Sequence, residues 1–185
     1  MKKLAILASG NGTNTESIIQ HFKIGKQATV ALVGSNNPDA YVLQRAANNG
    51  IGHFTFTKKE FENGSVKALL LLKRIDMIIL AGFLLKVPGN IIQAFPDAVV
   101  NIHPALLPKF GGKGLYGNRV HQAVKDAGEK VTGITIHWVN ENYDEGEIIF
   151  QQEVAIDESD TTEQIAEKVH ELEYKYFPKI IESLI

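Results

Sequence analysis

Asn101 and His103 stand two residues apart at the end of the apolar run Ala98-Val99-Val100, just before Pro104-Ala105-Leu106-Leu107-Pro108. On a strand that spacing puts both side chains on one side. In a parallel sheet they would emerge at the carboxyl edge, where open α/β sheets bind ligands. A proton-carrying imidazole beside a neutral carboxamide donor is the pair that a tetrahedral oxyanion requires. The plainer alternative is a histidine and an asparagine satisfying backbone groups in a loop stiffened by two prolines. A carboxylate could complete the set. Asp144 follows bulky Tyr143 and precedes Gly146 by two, which suggests a carboxylate held in a formed turn. Beside an imidazole it would raise that group's pKa and stabilise its cation. Read alone, 141–147 is an acidic, solvated hairpin loop, and His137 on the preceding strand reads as structural.

A second cluster, Ser9-Gly10-Asn11-Gly12-Thr13-Asn14, lies between an apolar run and a helix-like segment. Backbone N–H groups at such a helix start favour an anion. The dinucleotide fingerprint is only half met. Gly10 and Gly12 are present, but Thr15 holds the third glycine position and 34–37 offers no acidic residue for a ribose. No Gly-Lys-Ser/Thr follows, which excludes a phosphate-lysine loop. A small phosphate cradle of Gly12, Thr13 and Asn14 remains, beside the alternative of a tight βα turn.

These groups need a scaffold, and the apolar pattern supplies one. Strand-length runs occur at Leu4–Ala8, Thr29–Val33, His53–Thr57, Met77–Ala81 and Ala98–Ile102. Their continuous apolar character suits strands covered on both faces. Between them Thr15–Phe22, Ala40–Asn49, Glu60–Lys73 and Gly89–Phe95 carry helical spacing. Strand–helix alternation predicts an α/β fold with a mainly parallel sheet. Val131–Val139 and Glu147–Ile156 follow as two longer strands across the short Asn140–Gly146 loop, hence antiparallel. Asp160 or Thr161 then caps a long C-terminal helix, with Glu163 and Gln164 placed for a capping box. Its stripe is Ile165, Val169, Leu172, Tyr176, Ile180 and Leu184, and Pro178 is expected to kink it.

The 185 residues fit one domain, 1–185, with a core large enough to stand without staples. Nineteen basic against 21 acidic residues leave no single-sign field, which argues against nucleic-acid or membrane-surface partners. With no cysteine, thiol catalysis, disulfides and thiolate metal sites are excluded, and no other convincing metal cluster is evident. The start is too short an apolar run for a signal peptide, and no stretch approaches the ~20 apolar residues of a membrane span. The expectation is a cytoplasmic, metal-independent protein.

Taken together, the motifs resemble the folate-dependent formyltransferases, and among them the branch that formylates glycinamide ribonucleotide in purine synthesis. The likeness rests on Ser9–Asn14, Leu80-Ala81-Gly82-Phe83, Asn101–Pro108 and the Gly133–Gly146 stretch, in order along essentially the whole chain. It implies a Rossmann-like three-layer sandwich with about seven strands, and formyl transfer from 10-formyltetrahydrofolate, the cosubstrate. It further implies His103 as general acid/base, Asn101 as donor to the formyl oxygen and Asp144 as support for the His103 cation. Gly12, Thr13 and Asn14 would bind the ribose phosphate. Glu173, with His170 one turn earlier, would meet the glycinamide-ribose part of the substrate. The folate pterin would lie against backbone of Leu84, Leu85, Lys86 and Val87, against Asn101, and against Asn140, Glu141, Asn142, Tyr143 and Asp144. Lys59 is the basic residue proposed for the folate tail.

Two departures from the common pattern stand out. The 110–118 loop is longer than in most relatives, with Tyr116 where a histidine is usual, and Leu85 replaces an often basic residue. Neither alters the three residues assigned to chemistry. Two relatives share the Asn-x-His and Asp motifs. Methionyl-tRNA formyltransferase is expected to need a further C-terminal domain, and formyltetrahydrofolate deformylase a further N-terminal one. A non-catalytic phosphate- or nucleotide-binding module would keep the glycine loop but need no Asn101, His103 and Asp144 together.

Overall fold

The computed structural model describes residues 1–25 and 27–185. Seven strands form one sheet in the order β3-β2-β1-β4-β5-β6-β7. They are β1 (Lys2–Leu7), β2 (Ala28–Ser35), β3 (Gly52–Thr55), β4 (Met77–Leu80), β5 (Val99–His103), β6 (Val131–Trp138) and β7 (Ile148–Ala155). The first five pair in parallel, and β5–β6 and β6–β7 pair antiparallel. The mixed, mainly parallel sheet anticipated from the alternating runs is therefore present.

Alternation along β1 shows how the layers form. Leu4 and Ile6 face one core with α1 (Thr13–Ile24), α2 (Tyr41–Asn48) and α7 (Thr162–Ser183), through Ile18, Val42, Val169 and Phe177. Ala5 and Leu7 face the other, with α3 (Lys58–Glu62), α4 (Ser65–Leu72) and α5 (Gly89–Ala94), through Phe61, Leu70 and Ile91. A run apolar at every position, Leu4 to Leu7, is what burial on both faces demands. The chain reverses its winding between β1 and β4, so the loops after those strands diverge and open a crevice at their carboxyl ends.

Three elements depart from the expectations. The anticipated 60–73 helix is two helices. Asn63 closes α3, and Gly64, at φ 92°, starts α4 in a left-handed conformation that glycine adopts without strain. Helix α6 (Asn118–Asp126) was not anticipated, because only Val120 and Val124 carry its apolar period. In α7 the fully buried face holds Ile165, Val169, Glu173, Phe177 and Ile181, whereas Leu172, Tyr176 and Ile180 are only partly buried. The stripe is thus shifted by one residue in its second half, which brings Glu173 into the packed face. Thr161 is the cap, paired with Gln164 in the expected box, and the helix runs unbroken through Pro178.

Candidate active site

A cleft of about 650 Å³ lies over the carboxyl ends of β1, β4 and β5. One wall is built from strand ends. Pairing in register sets Asn101 opposite His137 and His103 opposite Thr135. Thr135, fully buried, accepts from the backbone N–H of Leu107 at 3.0 Å and donates to the carbonyl of Ala105 at 2.7 Å. Gln151 on β7 donates to the Leu107 carbonyl at 3.0 Å, so the proline loop is pinned by both antiparallel strands.

The His137 ring orients Asn101. Its Nδ1 donates to the Trp138 carbonyl at 2.8 Å, which can only accept, and its Nε2 takes the hydrogen bond from Asn101 Nδ2 at 3.0 Å. One carboxamide N–H is thereby held on His137 while the other remains for the cleft, which Asn101 lines. His137 is structural in this sense, yet it also stands 3.7 Å from Asp144 Oδ1, within the polar cluster itself.

His103 is similarly braced. Its Nε2 donates to the Phe110 carbonyl at 2.8 Å, and its Nδ1 lies 3.7 Å from Asp144 Oδ2. Burial pushes the His103 pKa below its ordinary 6.5, against the pull of Asp144 and the Phe110 carbonyl. For Asp144 burial acts upward, but His137, the Gly112 backbone N–H and His103 together bring it below the usual carboxylate value. Near neutral pH the imidazole is therefore mainly uncharged beside a charged carboxylate. A proton gained at Nδ1 would sit against Asp144 and form a charge-assisted pair. Asp144 does sit in a formed turn, at φ 54°. A side chain at Gly146 would collide with the Trp138 carbonyl, so the loop returns into β7 only over a glycine.

The unusual 110–118 loop leaves the three candidate residues in place but grips two of them. Phe110 takes the His103 hydrogen bond, and the Gly112 N–H donates to Asp144 Oδ2 at 2.9 Å. Lys113 and Tyr116 from this loop line the cleft together with Arg119 of α6, whose guanidinium lies 5.0 Å over the Tyr116 ring.

The opposite wall is helical. Gly12, at φ 76°, caps α1 without any side-chain bond, and a Cβ there would strike Val42. Arg45 fastens the loop by donating to the Asn11 carbonyl at 2.9 Å and to Asn11 Oδ1 at 2.7 Å. Gly12, Thr13 and Asn14 all line the cleft. On the same wall, Glu173 Oε2 accepts from Asn14 Nδ2 and from His170 Nδ1, both at 2.8 Å. That bond to Glu173 raises the His170 pKa above 6.5. Neither His121 nor Arg119 was foreseen from the sequence. His121, 1% exposed, lines the cleft beside His170, and its pKa is lowered to about 4 by burial and by His170. The signal available for it was the Val120/Val124 row after Gly117.

The folate candidates divide. Leu84, Tyr143 and Asp144 line the cleft, whereas Leu85, Lys86, Val87, Asn140, Glu141 and Asn142 do not. Val87 packs into the sheet core. Lys86 Nζ lies 5.9 Å over the Tyr143 ring and ties the two loops at the cleft mouth. Lys59 is exposed on α3 and is not brought into the cleft wall. Among the described residues, no group of three or more His, Asp or Glu side chains could hold a metal ion.

Residues 2–181 match the model of the formyl transferase family. The chain belongs to that family. A phosphoribosylglycinamide formyltransferase of Bacillus subtilis (strain 168) is 40% identical over all of this chain and 95% of its own length. A crystal structure of phosphoribosylglycinamide formyltransferase from Bacillus halodurans superimposes with a TM-score of 0.90 at 37% identity, covering 99% of this chain and 95% of that one. The corresponding structure from Streptococcus pneumoniae gives 0.88 at 35% identity, covering 100% and 99%. Within the family, these full-length likenesses group the chain with the phosphoribosylglycinamide formyltransferases.

Proposed function

We propose that this cleft moves the formyl group of 10-formyltetrahydrofolate onto the amine of 5'-phosphoribosylglycinamide, giving formylglycinamide ribonucleotide and tetrahydrofolate. The observation that carries the reading is the meeting, in one cleft, of a helix-start phosphate cradle, a buried carboxylate and the Asn101–His103–Asp144 cluster. The phosphate sits on the N–H groups of Gly12, Thr13 and Asn14. Glu173, with His170 beside it, meets the glycinamide-ribose part, and the amine extends to Asn101 and His103.

The folate supplies the formyl carbon and is bound at the mouth formed by Leu84 and Tyr143. The amine nitrogen bonds to that carbon, the carbon's bond to the folate nitrogen breaks, and one proton passes from the incoming to the departing nitrogen. Asn101 directs its second N–H at the oxygen as charge develops there, and a preoriented donor of this kind is worth about 3–4 kcal/mol. His103, uncharged beforehand, gains proton affinity from that negative charge and acts as general acid/base. Such transfer typically supplies ~10²–10⁴-fold. Asp144 supports the resulting cation. The reaction uses side chains and backbone alone, and the setting proposed is cytoplasmic purine synthesis on small molecules, with neither nucleic acid nor membrane as partner.

The test is release of the deformylated folate from purified protein and 10-formyltetrahydrofolate, followed spectroscopically with and without the ribonucleotide. Release that depends on the ribonucleotide is expected. Release without it identifies a deformylase, and none in either arm from folded protein leaves only a binding module.

A further inference from the structure

His121 on α6 has no part in the chemistry above, yet its surroundings are those of a ligand group. It occupies the buried row Val120–His121–Val124, where an apolar side chain would pack at no polar cost. Its Nδ1 is sealed from solvent without a partner. Nor does its Nε2 make any hydrogen bond among the described residues, although the residue lines the cleft. A buried polar group left in this condition calls for a functional reason. Because an orphaned buried N–H is rarer than an orphaned acceptor, the single ring hydrogen belongs on Nε2, the edge open to the cleft.

The neighbours say which ligand that edge would meet. The His121 ring stands 6.2 Å, edge-on, from the His170 ring, whose Nδ1 is held by Glu173 Oε2. The same Glu173 oxygen holds Asn14 at the phosphate cradle, whose own Oδ1 is also sealed and unpartnered. The line Asn14–Glu173–His170–His121 thus runs from α1 through α7 to α6. A molecule anchored by its phosphate at the cradle beside Asn14 carries its ribose and amide past Glu173, His170 and His121.

We infer that His121 is a substrate-binding residue of the ribonucleotide subsite, its Nε2–H donating to a ribose or amide oxygen of the acceptor. This rests on the formyl-transfer reading. Burial and the neighbouring His170 keep the ring uncharged, so it contributes one directed hydrogen bond and no competing charge beside Glu173.

Calorimetric titration of glycinamide ribonucleotide into wild type and His121→Phe tests it, alongside steady-state kinetics for both substrates. Phenylalanine keeps the ring's bulk and removes the donor. Ribonucleotide Kd and KM should rise on the order of tenfold, the worth of about one hydrogen bond, while the formyl-folate KM and kcat stay near wild type. His121→Gln, which restores a terminal N–H, should recover most of the affinity. Equal ribonucleotide affinity in His121→Phe and wild type overturns the assignment, as does a matching loss for both substrates. If the phenylalanine variant does not fold, His121→Gln and His121→Met, similar in length and differing in the donor, read the same difference, and equal affinities overturn it. Wild type that binds no ribonucleotide sinks the formyl-transfer reading itself.

Discussion

The two walls of the cleft are made differently. On the strand-end wall Asn101, His103, His137 and Asp144 all have partners: His137 for Asn101, Phe110 for His103, Trp138 for His137 and Gly112 for Asp144. On the helical wall the start of α1 has no side-chain cap, and His121, which lines the cleft, makes no hydrogen bond among the described residues. The contrast matches two tasks. Groups that meet developing charge work best when their dipoles are already oriented. Groups that bind a ligand keep open valences for it. Changes to the first wall should therefore fall on kcat, and changes to the second on substrate affinity.

The largest effect expected is on the strand wall. His103→Ala should lower kcat on the order of 10³-fold with the binding of both substrates retained, checked by steady-state kinetics and titration. A variant that loses affinity in proportion would erase the distinction between the walls. Asp144→Asn should depress kcat by about 10²-fold. It removes the charge that supports the His103 cation, so the His103 limb of the pH–rate profile should move to lower pH. An unmoved limb would detach Asp144 from the proton chemistry.

His137→Phe sharpens the comparison, since it frees the Asn101 amide without touching the reacting atoms. A drop in kcat of about tenfold with both KM values unchanged is expected. On the other wall, Glu173→Gln should raise the ribonucleotide KM on the order of tenfold and spare the formyl-folate KM. Equal changes in both would mean the helical wall does not sort the two substrates.

The last effect falls on stability and leaves neutral-pH activity aside. The His121 pKa is lowered from 6.5 to about 4 in the folded protein, so between those values the unfolded chain holds the extra proton. The stability this histidine contributes is present above pH 6.5 and lost as pH falls, at up to about 1.4 kcal/mol per pH unit. The lowered His103 pKa acts in the same direction. His170, raised above 6.5, gives a slope of the opposite sign that begins only at the top of that window, where the unfolded chain starts to release its proton. Denaturant unfolding of His121→Phe from pH 4 to 6.5 should show a flatter dependence than wild type.

Much of this was legible in the residue order. Continuous apolar runs announced doubly covered strands, and spacing alone put Asn101 and His103 on one side of β5 at the ligand edge. Asp144 in a turn and Gly12 at a helix start were visible because backbone conformation is a local property that residue type constrains. The four-motif likeness then pointed to formyl transfer.

What tertiary structure decided was contact between residues far apart in the chain. That Glu173 reaches Asn14, 159 positions away, depends on how α7 lies across α1, and a one-residue shift of its buried face was enough to change Glu173 from flanking to packed. The partnering of His137 with Asn101 follows from strand register, which no single strand specifies. His121 came into view only when α6 docked on α7. The physical reason is common to all three. Short-range propensities act within a turn or two of chain, whereas the packing that brings helix faces and strand neighbours together is settled by the burial of the whole core.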